Sequence, residues 1–293
     1  GIPAPKIYVG APLPPAPADM VDPFFYASLT VCEVLYLVDP ERLRPYLADS
    51  GLELATFDDG LACAGFDFQM YQRQMTFGMG STMEIELNIA AYPTARKAEV
   101  PALSFADFVA GMDQTKLIGN KRVWVPCDDP IAINAGVTLY GEPKFLTQFI
   151  PAVPALNSPG VNTWGFTCCD PAYPPSSAGG DDDTAKAHAI YTCTADVTGL
   201  TPVLSNPSPF TEYGYAPHDG PDKALIGCRW NIYQPFSTVF LTADQAERVK
   251  LTYGDSTHPM QKDIQAMIGD APARVFRTST SMPAAVNSRS YYP

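Results

Sequence analysis

Proline and glycine interrupt this chain at short intervals, 30 prolines and 21 glycines in 293 residues. Proline removes a backbone donor and clashes inside a helix, so long helices are disfavoured. Strands of about four to eight residues fit between such breaks. The expected fold is therefore mainly β, an antiparallel structure, closed or partly closed, with a few peripheral helices. An apolar share of 46%, with 11% aromatic residues, supplies a core for one large domain spanning 1–293.

Periodicity places the elements. Tyr26 to Val38 reads as a strand with Val31, Val34, Leu35 and Leu37 apolar, and Leu61 to Tyr71 as another with Phe66 and Phe68 on one face. Met83 to Ile89 alternates cleanly. Glu84, Glu86 and Asn88 share one face, and Ile85, Leu87 and Ile89 the other. That polar row is either a solvated surface or the inner lining of a barrel. Further strands are expected at His188 to Val197, at Leu225 to Leu241 with a bend at Pro235, and at Arg274 to Thr280. Asp39-Pro40 opens a short helix with Gly51 as its stop, because Asp accepts from free N–H groups and Pro fits the first turn. Ser104 caps a helix running to Gly111. Helical spacing recurs at Ala243 to Leu251, capped by Thr242, and at Met260 to Ile268, opened by Thr257 and Pro259. Residues 1–20 form an extended arm, and Pro174 to Asp183 a mobile, solvated loop. Within Thr94 to Lys121, Phe105, Phe108 and Met112 suit either a lid or an oligomer interface.

Charge and motifs exclude several function classes. Lys and Arg number 19 against 31 Asp and Glu, a net charge of -12, which disfavours nucleic-acid backbones and anionic membranes as partners. No apolar run is long enough to span a bilayer as a helix, and the first twenty residues lack the apolar centre of a signal peptide. The seven cysteines (Cys32, Cys63, Cys127, Cys168, Cys169, Cys193 and Cys228) are scattered and odd in number, as expected for buried free thiols in a reducing, cytoplasmic setting. Their spacing is not that of a zinc site. His188, His218 and His258 stand far apart; His218 is the best of them for proton transfer. Phosphate loops, dinucleotide fingerprints and nucleophile elbows are missing.

Lys144 carries the most chemistry. It follows the strand-like run Ile131 to Leu139, sits behind Pro143, and lies between apolar stretches. Burial disfavours the ammonium, which lowers the pKa and frees the amine. A free amine attacks a carbonyl and forms a Schiff base. The plain alternative is a solvated lysine beside a turn. Glu142 bears on the choice, because a permanent Glu142–Lys144 ion pair would raise the lysine pKa.

The segment Asp128-Asp129-Pro130-Ile131-Ala132-Ile133-Asn134-Ala135-Gly136-Val137-Thr138-Leu139-Tyr140-Gly141-Glu142-Pro143-Lys144 resembles the acetoacetate decarboxylase family. It shares an acidic turn with proline and a Gly-x-Pro-Lys-type ending whose lysine forms the Schiff base. Gly80-Ser81-Thr82-Met83-Glu84 is similar to the family segment whose glutamate faces that lysine. Pro40 to Leu47 and Ile268 to Val275 resemble its early Leu-Pro element and its closing passage. The resemblance implies a closed or cone-like β-barrel and a homo-oligomer. It implies a Schiff-base-forming lyase acting on a small keto acid or ketone, without any cofactor or metal. Lys144 would be the nucleophile. Glu84 would move protons, with Glu86 or Glu142 as a second acid/base or orienting group. Tyr140, Phe145, Gln148 and Val137 are the expected substrate contacts.

The chain departs from the family pattern at three places. Leu29 and Val137 stand where the family offers arginine for a carboxylate, a role that Arg fits by its paired donors. Phe145 stands where a second basic residue often follows the lysine. Arg73 and Arg229 are the candidates to replace the missing cation. Decarboxylase, aldolase and dehydratase chemistry all remain open. So do a non-catalytic binding protein of the same fold and a Glu84-driven isomerase or cyclase that forms no Schiff base.

Overall fold

The structure is a computed structural model and describes residues 12–74, 80–155, 157–158, 160–177, 180–282 and 285–293. The first eleven residues of the expected arm lie outside the described residues, as do 178 and 179 of the acidic loop.

In chain order, the strands of the first half are β1 (Phe24–Val38), β2 (Leu52–Leu54), β3 (Ala62–Gln74), β4 (Ser81–Pro93), β5 (Gly119–Cys127), β6 (Lys144–Leu146), β7 (Phe149–Ala152) and β8 (Thr163–Cys168). The second half adds β9 (Tyr191–Asp196), β10 (Val203–Ser205), β11 (Phe210–Ala216), β12 (Ala224–Ile232), β13 (Phe236–Phe240), β14 (Val249–Thr252), β15 (Ala273–Ser281) and β16 (Ala285–Asn287). The helices are α1 (Pro40–Leu43), α2 (Phe105–Ala110), α3 (Pro130–Tyr140), α4 (Asp183–Ala187) and α5 (Pro259–Met267).

Seven strands close into a barrel in the order β1, β3, β4, β5, β11, β12, β16 and back to β1. The barrel is mixed, which corrects the purely antiparallel expectation. β11 runs parallel to β5, and β6 also pairs with β5 in parallel. Parallel neighbours need a long crossover, and the segment between β5 and β11 supplies one. It contains α3, α4 and most of a separate four-stranded sheet, β14-β9-β8-β7.

At its middle the barrel is polar inside and apolar outside. Phe66, Phe68, Ile85, Leu87 and Ile89 point outward from β3 and β4 into the main core. There they meet Phe166 and Tyr191 of the small sheet and Met260, Ile264 and Met267 of α5. Phe68 stacks on Phe166 with ring centroids 4.5 Å apart, and Phe66 on Tyr191 at 4.8 Å. The alternate residues Asp67 and Gln69 of β3 and Glu84, Glu86 and Asn88 of β4 are buried on the opposite face. Of the two readings of the alternation, the barrel lining is the one found.

Several expected elements differ. Ile131 to Leu139 is helical, because Asp129 caps the Ile131 N–H, Pro130 occupies the first turn and Gly141 closes the helix in a left-handed conformation. Leu225 to Leu241 is two strands rather than one bent one, with β12 and β13 parted around Pro235. Ala243 to Leu251 is not an α-helix. A single 3-10 turn at Ala246–Arg248 leads into β14, which pairs with β9. The side chain capping α5 is His258 rather than Thr257. Ser104 caps α2 as expected, accepting from the Asp107 N–H. No helix among the described residues is long and apolar enough to cross a membrane.

Candidate active site

Lys144 begins β6 immediately after α3, and its side chain turns back into the barrel beneath that helix. Gly136 of α3 makes this possible. A Cβ at position 136 would lie 2.2 Å from Glu142 Oε2 and 2.6 Å from Lys144 Cε. Gly141 has φ +60°, and a Cβ there would meet the Tyr215 backbone at 2.1–2.8 Å. The two glycines let α3 end sharply against β11 and return the chain to the site.

The Lys144 and Glu84 side chains are each only 5% exposed. Lys144 Nζ donates to Glu84 Oε2 and lies 2.9 Å from Glu142 Oε2. A weaker contact to the Ala132 carbonyl spans 3.5 Å. Burial works against the ammonium, but Glu142 and Glu84 outweigh it, and the Lys144 pKa is raised well above the usual lysine range. The expected lowered pKa is therefore corrected: the shell around Nζ is carboxylate rather than apolar.

Arg122 of β5 completes the cluster. Its Nη1 donates to Glu142 Oε1 at 2.6 Å and to Glu212 Oε2 at 3.2 Å. Nη2 donates to the carbonyls of Tyr140 and Tyr213 at 3.0 and 3.2 Å, and Nε reaches the Tyr213 carbonyl at 3.4 Å. The guanidinium is fully buried with its donors engaged. Burial alone would push Glu142 up, but Lys144 and Arg122 hold it below the usual carboxylate range.

The other carboxyls shift the opposite way. Burial raises Glu84 to about 7, with Lys144 opposing, and Glu86 to about 8, where Glu212 adds to the rise. Burial likewise raises Glu212 to about 7 against the pull of Arg122. Oxygens of Glu86, Glu142 and Glu212 lie within 4.8 Å of one another, which is close enough to share a cation. In this arrangement Arg122 supplies the positive charge between Glu142 and Glu212, so the donor set suits a guanidinium better than a metal ion.

A cavity of about 30 Å³ opens beside Lys144 and is lined by Glu84, Glu86, Glu142 and Glu212, with Tyr26, Tyr71, Tyr140, Ala132 and Ala135 among its walls. Of the expected site residues, Lys144, Glu84, Glu86, Glu142 and Tyr140 come together here. Val137, Phe145 and Gln148 do not line it. Phe145 stacks on His258 at 4.5 Å and meets Trp124 edge-on, outside the barrel wall. The Gln148 carbonyl accepts from the Cys169 N–H in the small sheet. Val137 is half-buried on α3. Neither candidate replacement arginine lines the cavity. Arg73 is exposed, and Arg229 bonds the Lys116 carbonyl and covers the Tyr291 ring. Leu29 is fully buried in an apolar cluster. Sequence reasoning missed Arg122 and Glu212, whose strand neighbours carry no motif around them.

This fold, a closed seven-stranded mixed β-barrel with few helices, is the acetoacetate decarboxylase-like one. An acetoacetate decarboxylase-like enzyme from Sphingomonas wittichii RW1 superposes with a TM-score of 0.56 at 15% identity, covering 93% of this chain and 92% of that one. The enduracididine biosynthesis enzyme MppR gives 0.55 at 14% identity, covering 93% and 88%. The acetoacetate decarboxylase of Legionella pneumophila gives 0.51 at 11% identity, covering 99% and 91%. No protein-family model matches the sequence, and neither does any curated protein.

Proposed function

We propose that this protein is a Schiff-base-forming enzyme, a lyase of decarboxylase or aldolase/dehydratase type, acting on a small ketone or aldehyde through Lys144. The observation that carries this reading is the placement of Lys144 Nζ between Glu84 and Glu142 beside a cavity. The reading begins with proton transfer from the Lys144 ammonium to the Glu84 carboxylate. Burial already raises Glu84 to about 7, so the protonated carboxyl is accessible near neutral pH. The free amine attacks the carbonyl carbon, and the carbinolamine loses water to give an iminium ion. Its positive charge sits where the ammonium was, so Glu142 stabilises it without rearrangement. Electrons from a breaking bond at the adjacent carbon then flow to nitrogen, and Glu84 returns or removes the proton.

Electrostatics narrow the substrate. Four carboxyls line the cavity, and Lys144 is the only basic residue among its described walls. Arg122 has its donors engaged. A substrate carboxylate would be buried without a cationic partner at a cost of several kcal/mol. The favoured substrate is therefore a keto group on a neutral or cationic body.

The raised lysine supports a second reading, in which Lys144 stays a fixed cation and Glu84 alone moves protons at carbon beside a polarised carbonyl. Exchange of the carbonyl oxygen of a bound ketone with ¹⁸O-labelled water separates the two. Iminium formation and hydrolysis exchange the oxygen, and Lys144→Ala abolishes the exchange. Turnover that persists in Lys144→Ala but fails in Glu84→Gln supports the second reading and overturns the first.

A further inference from the structure

A second cavity, of about 50 Å³, lies inside the barrel on the far side of a row of charged residues. The row follows from strand register. Arg277 of β15 faces Glu33 of β1, Glu33 faces Asp67 of β3, and Asp67 faces Glu86 of β4. Glu86 lines the Lys144 cavity, whereas Glu33, Asp67 and Arg277 line the second one, and the two share no wall residue.

The walls of the second cavity are rich in acceptors. Asp67 Oδ1 and Asn88 Oδ1 are buried with no hydrogen-bond partner among the described residues. The opposite atom of each side chain is engaged: Asp67 Oδ2 accepts from Gln69 Nε2 at 3.1 Å, and Asn88 Nδ2 donates to Glu86 at 2.9 Å. Both free oxygens are thereby oriented by their own neighbours. The two cations of the wall, Arg277 and Lys116, each have part of their donor set committed elsewhere. Arg277 donates to Glu33 and to the Val109 carbonyl, and Lys116 Nζ to the Pro207 carbonyl at 2.9 Å. Asp113 is spent on its own loop, where it accepts from Thr115, Lys116 and Ile118. Phe108 and Phe210 supply aromatic walls, and the Phe210 ring already faces the Arg277 guanidinium, 5.5 Å from its centroid.

An unpaired buried acceptor costs about 1–3 kcal/mol, and two in one cavity call for a ligand that donates to both. The wall carboxyls Glu33, Asp67 and Asp113 outnumber the cations Arg277 and Lys116 by one, and with the Phe108 face this favours a positive charge. We propose that this second cavity binds the head group of a small organic cation, a protonated primary amine, held by Asp67 and Asn88. A water needs roughly 10–15 Å³ of such space, so the cavity takes a head group of a few heavy atoms, with any ring lying against Phe108 and Phe210. Burial, with Glu33, Glu86 and Glu212 nearby, pushes Asp67 well above the ordinary carboxylate range, and an ammonium would draw it back down.

The test uses the full chain, with benzylamine as the probe and benzyl alcohol as its neutral isostere. Titration calorimetry should show benzylamine binding at least tenfold more tightly than the alcohol. Asp67→Asn should weaken the amine at least tenfold, and no NOE should connect the probe to Tyr71 or Tyr140 of the Lys144 cavity. NOEs should connect the probe ring to Phe108 and Phe210, a readout that stands even if the Asp67 variant fails to fold. Equal affinities for amine and alcohol, no binding at millimolar probe, or an undiminished Asp67→Asn would overturn the proposal. So would NOEs from the probe to Tyr71 or Tyr140, which would place the amine in the other cavity. None of these outcomes depends on Schiff-base chemistry, so this proposal and the functional one fail separately.

Discussion

Glu142 is held by two cations at once: Arg122 Nη1 is 2.6 Å from its Oε1, and Lys144 Nζ is 2.9 Å from its Oε2. The carboxylate thereby ties β5 to the first residue of β6 inside the barrel. This arrangement explains why Lys144 is both buried and protonated in the resting protein.

Removing Arg122 should be costly. Arg122→Met leaves Glu142 and Glu212 buried with less compensation, and breaking a buried ion pair from one side costs about 3–5 kcal/mol. Urea denaturation should show a loss of that size. A loss below about 1 kcal/mol would mean that the cluster relaxes or is wetter than its burial implies.

Gly136→Ala separates local fit from global folding. Alanine favours helix over glycine by about 1 kcal/mol, yet its methyl would collide with Glu142 and Lys144. The variant should keep its far-UV circular dichroism and lose at least tenfold in reductive trapping of a ketone on Lys144. Normal trapping would show that the approach of α3 to the lysine is not limiting.

The pH dependence of stability follows from three carboxyls. Glu84 and Glu212 titrate at about 7 and Glu86 at about 8 in the folded protein, against 4.5 as the ordinary value. Above the unfolded value, the native state holds protons that the unfolded chain has released. Stability must then fall as pH rises from about 4.5 to about 8. Denaturation midpoints measured from pH 5 to pH 8 should decline, and Glu86→Gln should flatten the slope. A rise over this range would contradict the buried-carboxyl account.

Substrate charge should matter more than substrate size. Acetoacetate should be turned over poorly beside neutral aryl or alkyl ketones, measured as kcat/KM across a panel. Efficient carbon dioxide release from acetoacetate would mean that Arg122 can give up a donor to the substrate.

Much of the barrel was legible because its strands alternate. Glu84, Glu86 and Asn88 against Ile85, Leu87 and Ile89 set both faces of β4. The stretch Ile131 to Leu139 misled because a short apolar run reads equally as strand or helix. The deciding signals, Asp129 with Pro130 at its start and Gly141 at its end, lay at its edges. The parallel β5–β11 pairing joins residues far apart in sequence, which no local pattern reports. Arg122 and Glu212 look like surface charges on their own strands, and only the closed barrel brings them to Glu142. The lysine pKa shifts the opposite way from what the apolar stretches flanking Lys144 in sequence suggest. In space the carboxylates across the barrel set it.

Iminium formation at Lys144 can be read by chemical trapping. The direct measurement is borohydride reduction of the protein with a panel of neutral ketones near pH 8, where Glu84 is ionised and able to take the lysine proton, followed by peptide mass spectrometry. A mass increment equal to the ketone less one oxygen atom is expected on the peptide carrying Lys144, with a yield that rises through about pH 7 as Glu84 ionises. Glu84→Gln should slow the labelling, and Lys144→Ala should abolish it. Turnover of a ketone with no label on Lys144, unaffected by Lys144→Ala, would rule out a Schiff base at this lysine.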